Sequence, residues 1–419
     1  MDGIRRSWVV GHRLTALLGA AVLVASACAA GASPSPSGAG TPAPSAAGSA
    51  AATKHVSILN KDMTDAEIRA EVAKEGSIVI ANWTYTANDE IVKQFTKYVK
   101  DNYGADIKVT YEGTQAPTTY LTNLYAAQKA GNPSPYDVMN IEENYWADAM
   151  GHDAVESFLP SDLVPNQELV FEKFQHVPTS IAFQATAVPL VVYNGKTAAF
   201  IKSTKDLADP RLKGRVTVPL PGDVTAGGFF MNLADELGKD YKNPDQMKEV
   251  VDWFITNIGP NVLKYTTDTS EIMQLLQTGA IDAAGFWLSL ARQEYLAGYT
   301  DILPLWPTKM YPMCGYSWIP KRAPHPVLAQ IYINWRMNPD VQFPNAWPIE
   351  HSPWSELNEG FLGPSYEAAN LIPDWFAADY YKYYPKIDEY DTKLIPVDWD
   401  AYNTSGEVWQ DYYAQKIGQ

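Results

Sequence analysis

Residues 76–84 read Gly76-Ser77-Ile78-Val79-Ile80-Ala81-Asn82-Trp83-Thr84. The run Ile78 to Ala81 is apolar without alternation and is bounded by Gly and Asn. That pattern marks a strand buried on both faces, as in a parallel sheet. Working outward, Asn88 or Asp89 can cap a helix reaching about Asn102, with Ile91, Val92, Phe95 and Val99 on one face. Asp106–Glu112 is a second strand in which Ile107, Val109 and Tyr111 alternate. Tyr120–Ala130 is helical, with Leu121, Leu124 and Ala127 inward, and Asp137–Ile141 is a third strand. Upstream, Thr64–Lys74 reads as a short helix with Asp65 and Glu67 in its first turn. Strands alternating with helices imply parallel strands covered by helices, an α/β fold.

The alternation continues. Ala187–Tyr193, Val216–Leu220 and Ala280–Trp287 read as strands, and Ala226–Leu237, Asp245–Ile258 and Ser270–Gly279 as helices. Ile302–Trp306 and Ser317–Ile319 are short extended pieces, and His325–Asn338 is an amphipathic helix. The remainder is rich in Trp and Tyr, with helices expected at Tyr366–Ala378 and Ser405–Ala414.

The first 53 residues have another character. Arg5, Arg6 and Arg13 precede the apolar run Leu14–Ala25, then Ser26-Ala27-Cys28. Ala29–Thr53 contains only Ala, Gly, Ser, Pro and Thr. This is the order of a signal peptide over residues 1–27 followed by a flexible tether over 28–53. The apolar run is short of the ~20 residues that span a bilayer. Ala25-Ser26-Ala27-Cys28 resembles the lipobox of bacterial lipoproteins, which implies lipidation of Cys28 and an extracytoplasmic, membrane-anchored location at the cell surface or in the periplasm. An ordinary secretory signal with a chance cysteine is the other reading.

Without residues 1–27 the chain carries 29 basic and 47 acidic residues, a net charge of −18. Such a field repels nucleic acid and anionic lipid. With Cys28 lipidated, Cys314 stands alone and no disulfide is expected, so stability rests on the core. The six histidines His12, His55, His152, His176, His325 and His351 show no metal spacing, and no metal site is expected. Neither a Gly-x-Ser-x-Gly elbow nor a Walker loop occurs. No catalytic residue and no cofactor are expected.

Taken in order, several segments resemble the bacterial extracellular solute-binding proteins of ABC transporters, most nearly their spermidine/putrescine-binding branch. Residues 76–84 resemble the first strand and ligand loop. Tyr136-Asp137-Val138-Met139 with Glu143-Asn144-Tyr145-Trp146 is similar to the second ligand loop. Val188–Asn194 is similar to the crossover strand, and Leu207–Val216 to the entry into the second lobe. Gly279–Trp287 is similar to a later strand that supplies an aromatic, and Trp399-Asp400 with Val408–Tyr413 to the C-terminal end. The resemblance implies a two-lobed periplasmic-binding-protein-like fold of type II. Each lobe would be a mostly parallel sheet covered by helices, with a hinge between them: 54–188 plus 307–419 in one lobe, 189–306 in the other. It implies a small-molecule ligand held at the carboxyl ends of the strands, hinge closure on that ligand, and an ABC permease as partner. A monomer suffices for this mechanism.

The expected ligand-binding residues are Trp83, Tyr85, Glu143, Tyr145, Asp223, Trp287, Trp318 and Asp400. Carboxylates accept N–H bonds and ring faces attract ammonium, so the set suits a polyamine or another organic cation. Each residue has a plainer reading: Glu143 a solvated loop charge, Asp223 a helix cap, Trp287 core packing. Trp318 is placed at the cleft or the hinge. Val224–Gly228 lacks the second acid that the polyamine branch carries after the position of Asp223, and Asp400 stands where that branch has an amide. A sugar, phosphonate, thiamine or ferric ion are therefore alternative ligands. Gly227-Gly228 can open a helix N-terminus to an anion or simply make a tight turn. Tyr380, Tyr381, Tyr383 and Tyr384 suggest an outer packing face more than an iron site. From another class, a secreted polysaccharide-acting enzyme would pair two carboxylates such as Glu143 and Asp223.

Overall fold

The computed structural model describes residues 52–82, 89–184, 189–311, 314–346 and 392–418. The signal peptide, Cys28, most of the tether and the helix expected at Tyr366–Ala378 lie outside these residues.

Apolar runs become strands and capped amphipathic runs become helices. Strand β3 (Ser77–Ala81) is the quoted run, and β4 (Lys108–Glu112) and β5 (Val138–Glu142) pair parallel to it on either side. Before it lie a hairpin, β1 (Thr53–Val56) with β2 (Lys61–Thr64), and helix α1 (Asp65–Glu75). Thr64 and Glu67 form a capping box at the start of α1, which satisfies two otherwise orphaned N–H groups. Helices α2 (Asp89–Tyr103) and α3 (Pro117–Ala130) follow β3 and β4. After β5 comes α4 (Glu143–Gly151), a helix where the sequence suggests a loop.

The short edge strand β6 (Gln175–His176) and β7 (Ser180–Gln184) precede the crossing to the second sheet. That sheet holds β8 (Pro189–Asn194), β9 (Val216–Val218), β10 (Val262–Tyr265), β11 (Ala283–Trp287) and β12 (Ile302–Pro304) in the order β10-β9-β11-β8-β12. Its helices are α5 (Val224–Glu236), α6 (Pro244–Asn257), α7 (Thr269–Gln277) and α8 (Leu288–Leu296). Strand β13 (Gly315–Trp318) returns to the first sheet, giving the order β4-β3-β5-β13-β7-β6. Then come α9 (Pro326–Arg336), α10 (Pro339–Ala346) and a C-terminal helix α11 (Trp399–Ile417).

The result is two lobes, each a sheet with helices. The sheets are less uniformly parallel than expected. Strand β13 is antiparallel to both β5 and β7, and β8 is antiparallel to both β11 and β12. Each sheet therefore contains a reversed strand delivered by the other.

Alternation along the second sheet separates two cores. Val191 and Ala283 face α5 and α6, whereas Val192, Ala284 and Phe286 join α7, α8 and the core of the first sheet. Helix α11 packs on α6 and puts Trp399, Tyr402, Trp409 and Tyr413 into the core with Phe230 and Phe254. The sequence groups residues 307–419 with the first lobe; α11 instead adds its apolar face to the second lobe's core. Helical spacing shows that such a face exists but not which core receives it.

A polar cluster ties the amino end of the first sheet together. Glu75, the last residue of α1, accepts from the N–H groups of Val327 (3.0 Å) and Leu328 (2.7 Å) at the start of α9. His325 bonds through Nδ1 to buried Asp137 (2.9 Å), whose Oδ2 also accepts from Val79 N–H (2.8 Å). Burial pushes the Glu75 carboxyl up to about 7, against the lowering effect of the two N–H groups and His325. A folded pKa raised above the unfolded value gives stability that is complete below about 4.5 and lost as pH rises to about 7. Urea titrations at pH 4.5 and 7.5 are expected to show wild type losing up to about 3 kcal/mol relative to Glu75→Gln. An equal response of the two proteins to pH would refute this role for Glu75.

Candidate functional site

The carboxyl ends of the parallel strands carry the helix starts that form the site. Helix α4 begins directly at the end of β5, and α5 begins five residues beyond β9. Between them and α11 is a cavity of about 250 Å³. The first lobe contributes Thr118 from α3 and Asn144 and Tyr145 from α4. The second contributes Gly222 and Val224 at the start of α5. Helix α11 supplies Tyr402, Asn403, Gly406, Glu407 and Gln410, a stripe at helical spacing.

Helix α11 is held firmly over the second lobe. Its Tyr413 hydroxyl donates to the Pro219 carbonyl (3.0 Å), and Ser405 donates to the Tyr241 carbonyl (2.7 Å). Lys242 pairs with Asp398 at the helix start and Lys416 with Asp252 near its end, both at 2.7 Å. The Gly222 N–H donates to the Gln410 side chain. Tyr402 lies directly over Gly227, where a Cβ would overlap its hydroxyl. The space above the Gly227 turn is thus filled by a phenol, and Asp223 caps α5 by accepting from Thr225 N–H (2.7 Å). Together they rule against an anion at this helix N-terminus.

The lining is rich in acceptors. No lining residue is Lys, Arg or His. The Asn144 Oδ1 is buried without a hydrogen-bond partner. Glu407 is exposed at the mouth and makes no ion pair among the described residues. Burial, then the nearby Glu142 and Asp223 carboxylates, push the Tyr145 hydroxyl well above the ordinary phenol range; burial and Asp223 do the same to Tyr402. Both are neutral hydroxyls, able to donate and to accept a hydrogen bond.

The expected residues fare differently. Tyr145 lines the cavity. Asp223 sits between two lining residues, Gly222 and Val224, with its carboxylate engaged as a cap. Trp287 ends β11, half-buried against the cores of both lobes. Glu143 is buried and accepts a hydrogen bond from His176, so it is neither a solvated charge nor a cavity group. Trp318 lies in the first core, fully buried, not at the cleft. It pairs with Met139, whereas Gly315 at the other end of β13 pairs with Glu142 at the carboxyl edge. Asp400 is exposed on α11, off the stripe 403, 406, 407 and 410 that lines the cavity. Trp83, Tyr85 and the tyrosines 380–384 lie outside the described residues. Sequence reasoning missed Thr118, Asn144, Tyr402, Asn403, Glu407 and Gln410; the one signal for the last four was the stripe of polar and small residues on α11.

Two lobes with a polar crevice at their strand ends define a ligand-capturing protein. A family profile described as bacterial extracellular solute-binding protein matches residues 77–342. The chain belongs to this family of extracellular solute-binding proteins. No curated protein sequence matches it. Among solved structures it is similar to an ABC transporter protein of Clostridium perfringens (17% identity, TM-score 0.62, covering 81% of this chain and 99% of that one). It is similar to a putative spermidine/putrescine ABC transporter of Listeria monocytogenes (17% identity, TM-score 0.62, 80% and 98%). It also resembles the apo ferric ion-binding protein A of Pasteurella haemolytica (11% identity, TM-score 0.56, 82% and 98%).

The close approach of Tyr402 to Gly227 is testable. Gly227→Ala is expected to force α11 outward and cost about 1–3 kcal/mol in urea denaturation. Adding Tyr402→Leu should restore most of that loss. A stable Gly227→Ala protein would show that α11 does not depend on this contact.

Proposed function

We propose that this protein captures a small organic cation, with a polyamine as the best candidate, and delivers it to an ABC permease. The supporting observation is the cavity between the lobes, lined by acceptors and without a cationic side chain. Asn144, whose Oδ1 is buried beside it without a donor, belongs to its wall, and Glu407 stands at the mouth. An ammonium ligand would pair with Glu407, donate to the Asn144 amide oxygen once that amide turns into the cavity, and rest against the Tyr145 and Tyr402 rings. It would touch both lobes and so favour the closed state. No bond is made or broken in this reading.

A thermal-shift panel tests the ligand class, comparing spermidine, putrescine, betaine, thiamine, ferric citrate, aminoethylphosphonate and oligosaccharides. A true ligand at a hundredfold excess over Kd should stabilise by about 2.7 kcal/mol. Spermidine or putrescine should do so, and Glu407→Gln or Asn144→Leu should weaken binding about tenfold. A shift with ferric citrate, sugar or phosphonate in place of the amines would overturn the cation assignment while leaving the transport role.

The same reading holds the protein to the outside of a membrane through lipid on Cys28, tethered by residues 29–53. Among the described residues no helix is long and apolar enough to cross a membrane. Cys28→Ala is expected to move the protein from the membrane fraction to the medium or periplasm in cell fractionation. Unchanged membrane association would sink the anchor.

A further inference from the structure

We infer that His176 is a positioning residue for the ligand cleft, acting through Glu143 on the first turn of α4. This rests on that turn being part of the ligand site. His176 lies on edge strand β6 and outside the cavity lining. Its Nε2 donates to the Glu143 carboxylate, and the side chains are 31% and 10% exposed respectively. Its ring stacks on Trp146 with centroids 4.1 Å apart and planes 8° apart, and on Tyr316 at 5.0 Å and 30°. Trp146 and Tyr316 also stack on each other at 6.5 Å, so the three rings form one cluster joining β6, α4 and β13, with the imidazole bonded to the first residue of α4.

The consequence for the site follows from helix geometry. Glu143 and Trp146 are one turn apart on α4 and meet the same ring, whereas Asn144 and Tyr145 project from the same turn into the cavity. The Glu143 N–H also donates to the Cys314 carbonyl at 3.0 Å. The first turn of α4 is therefore pinned to the sheet by backbone, carboxylate and indole together. The Asn144 side chain bonds the Tyr145 hydroxyl of the same turn, and the His176 contacts hold that turn in place. On α4's other side, Ala147 packs against the second lobe's core, so a shift of α4 would reach the contact between lobes as well.

Three variants separate positioning from general stability. His176→Phe keeps a ring against Trp146 and Tyr316 but leaves Glu143 without its donor. His176→Gln keeps a donor and loses the ring. Glu143→Gln retains a hydrogen-bonded partner without charge, and serves where His176→Phe folds poorly. Amide hydrogen exchange on the ligand-free full chain is the first readout. Residues 146–150 should exchange about tenfold faster in His176→Phe, with α9 unchanged, and His176→Gln should recover part of the protection. Spermidine affinity is the second readout: it should fall about tenfold in His176→Phe and recover partly in His176→Gln. Unchanged exchange in α4, or faster exchange spread evenly over the chain, would overturn the positioning role. So would locally faster exchange with unchanged spermidine affinity. If spermidine fails to bind wild type, the cation assignment falls, and the exchange data still decide the role of His176.

Discussion

The rest of the structure depends on one exchange: each sheet contains a strand that arrives from the other and runs against its neighbours. Strand β8 enters the second sheet directly after β7 leaves the first, and β13 enters the first after β12. A reversed strand within a sheet cannot slip without moving every side chain to the wrong face. Strand β13 is further locked by polar bonds inside the core. Ser317 donates to Asn140 Oδ1 at 2.7 Å, and Asn140 donates to the Tyr332 hydroxyl of α9 at 3.1 Å. A shift of one residue would bury those groups unpaired, at a cost of about 1–3 kcal/mol each. The register of β13 therefore fixes α9 to β5, and it places Cys314 and Gly315 beside Glu142 and Glu143 at the edge where ligand is expected.

Because the reversed strands join the sheets near their carboxyl edges, these edges face one another and the helices that start there converge. Helix α11 then completes the wall. It is bound to the second lobe by aromatic packing and paired charges, yet it also meets α4 of the first. The site is thus assembled by three helices whose positions are set elsewhere: α4 by the first sheet, α5 by its cap at Asp223, α11 by the core around Phe230 and Phe254. Acceptors gather there because the body of α11 presents Asn403, Glu407 and Gln410 along one stripe and the start of α4 presents Asn144, and no Lys or Arg side chain lines the wall to neutralise them.

Much of the fold was legible in the sequence. The apolar run at 78–81, the alternating 107–111 and the capped helices after them came within a few residues of the observed elements. These are local signals: a period, a cap, a bounding glycine. What was not legible is tertiary. Strand β7 acquires its strand character by pairing with β13, and the two-residue β6 by pairing in turn with β7. Helix α4 starts Glu-Asn-Tyr-Trp, which lacks a helical stripe when read locally, because one side of it serves a histidine 33 residues away and another serves a cavity. Trp318 and Asp400 were misplaced for the same reason. An aromatic on a strand and an acid on a helix are identical in sequence whether they sit at the carboxyl edge or one turn or three residues away from it.

The behaviour of Glu143 shows how a site residue can be recognised by chemistry yet assigned the wrong task. A carboxylate at the end of β5 sits where a cation would be expected to bind. The structure fills that role internally: an imidazole packed against two aromatic rings, donating to a buried acid, has the arrangement that a ligand ammonium would seek. The fold has used its most cation-adapted constellation to hold a helix in place. Recognition is thereby left to the neighbouring residues of the same turn. Adjacent side chains on a helix point about 100° apart, so one turn can anchor inward through Glu143 and present Asn144 and Tyr145 outward. Fixing the anchor fixes the presenting groups, and an acceptor whose position is set before ligand arrives loses little freedom on binding.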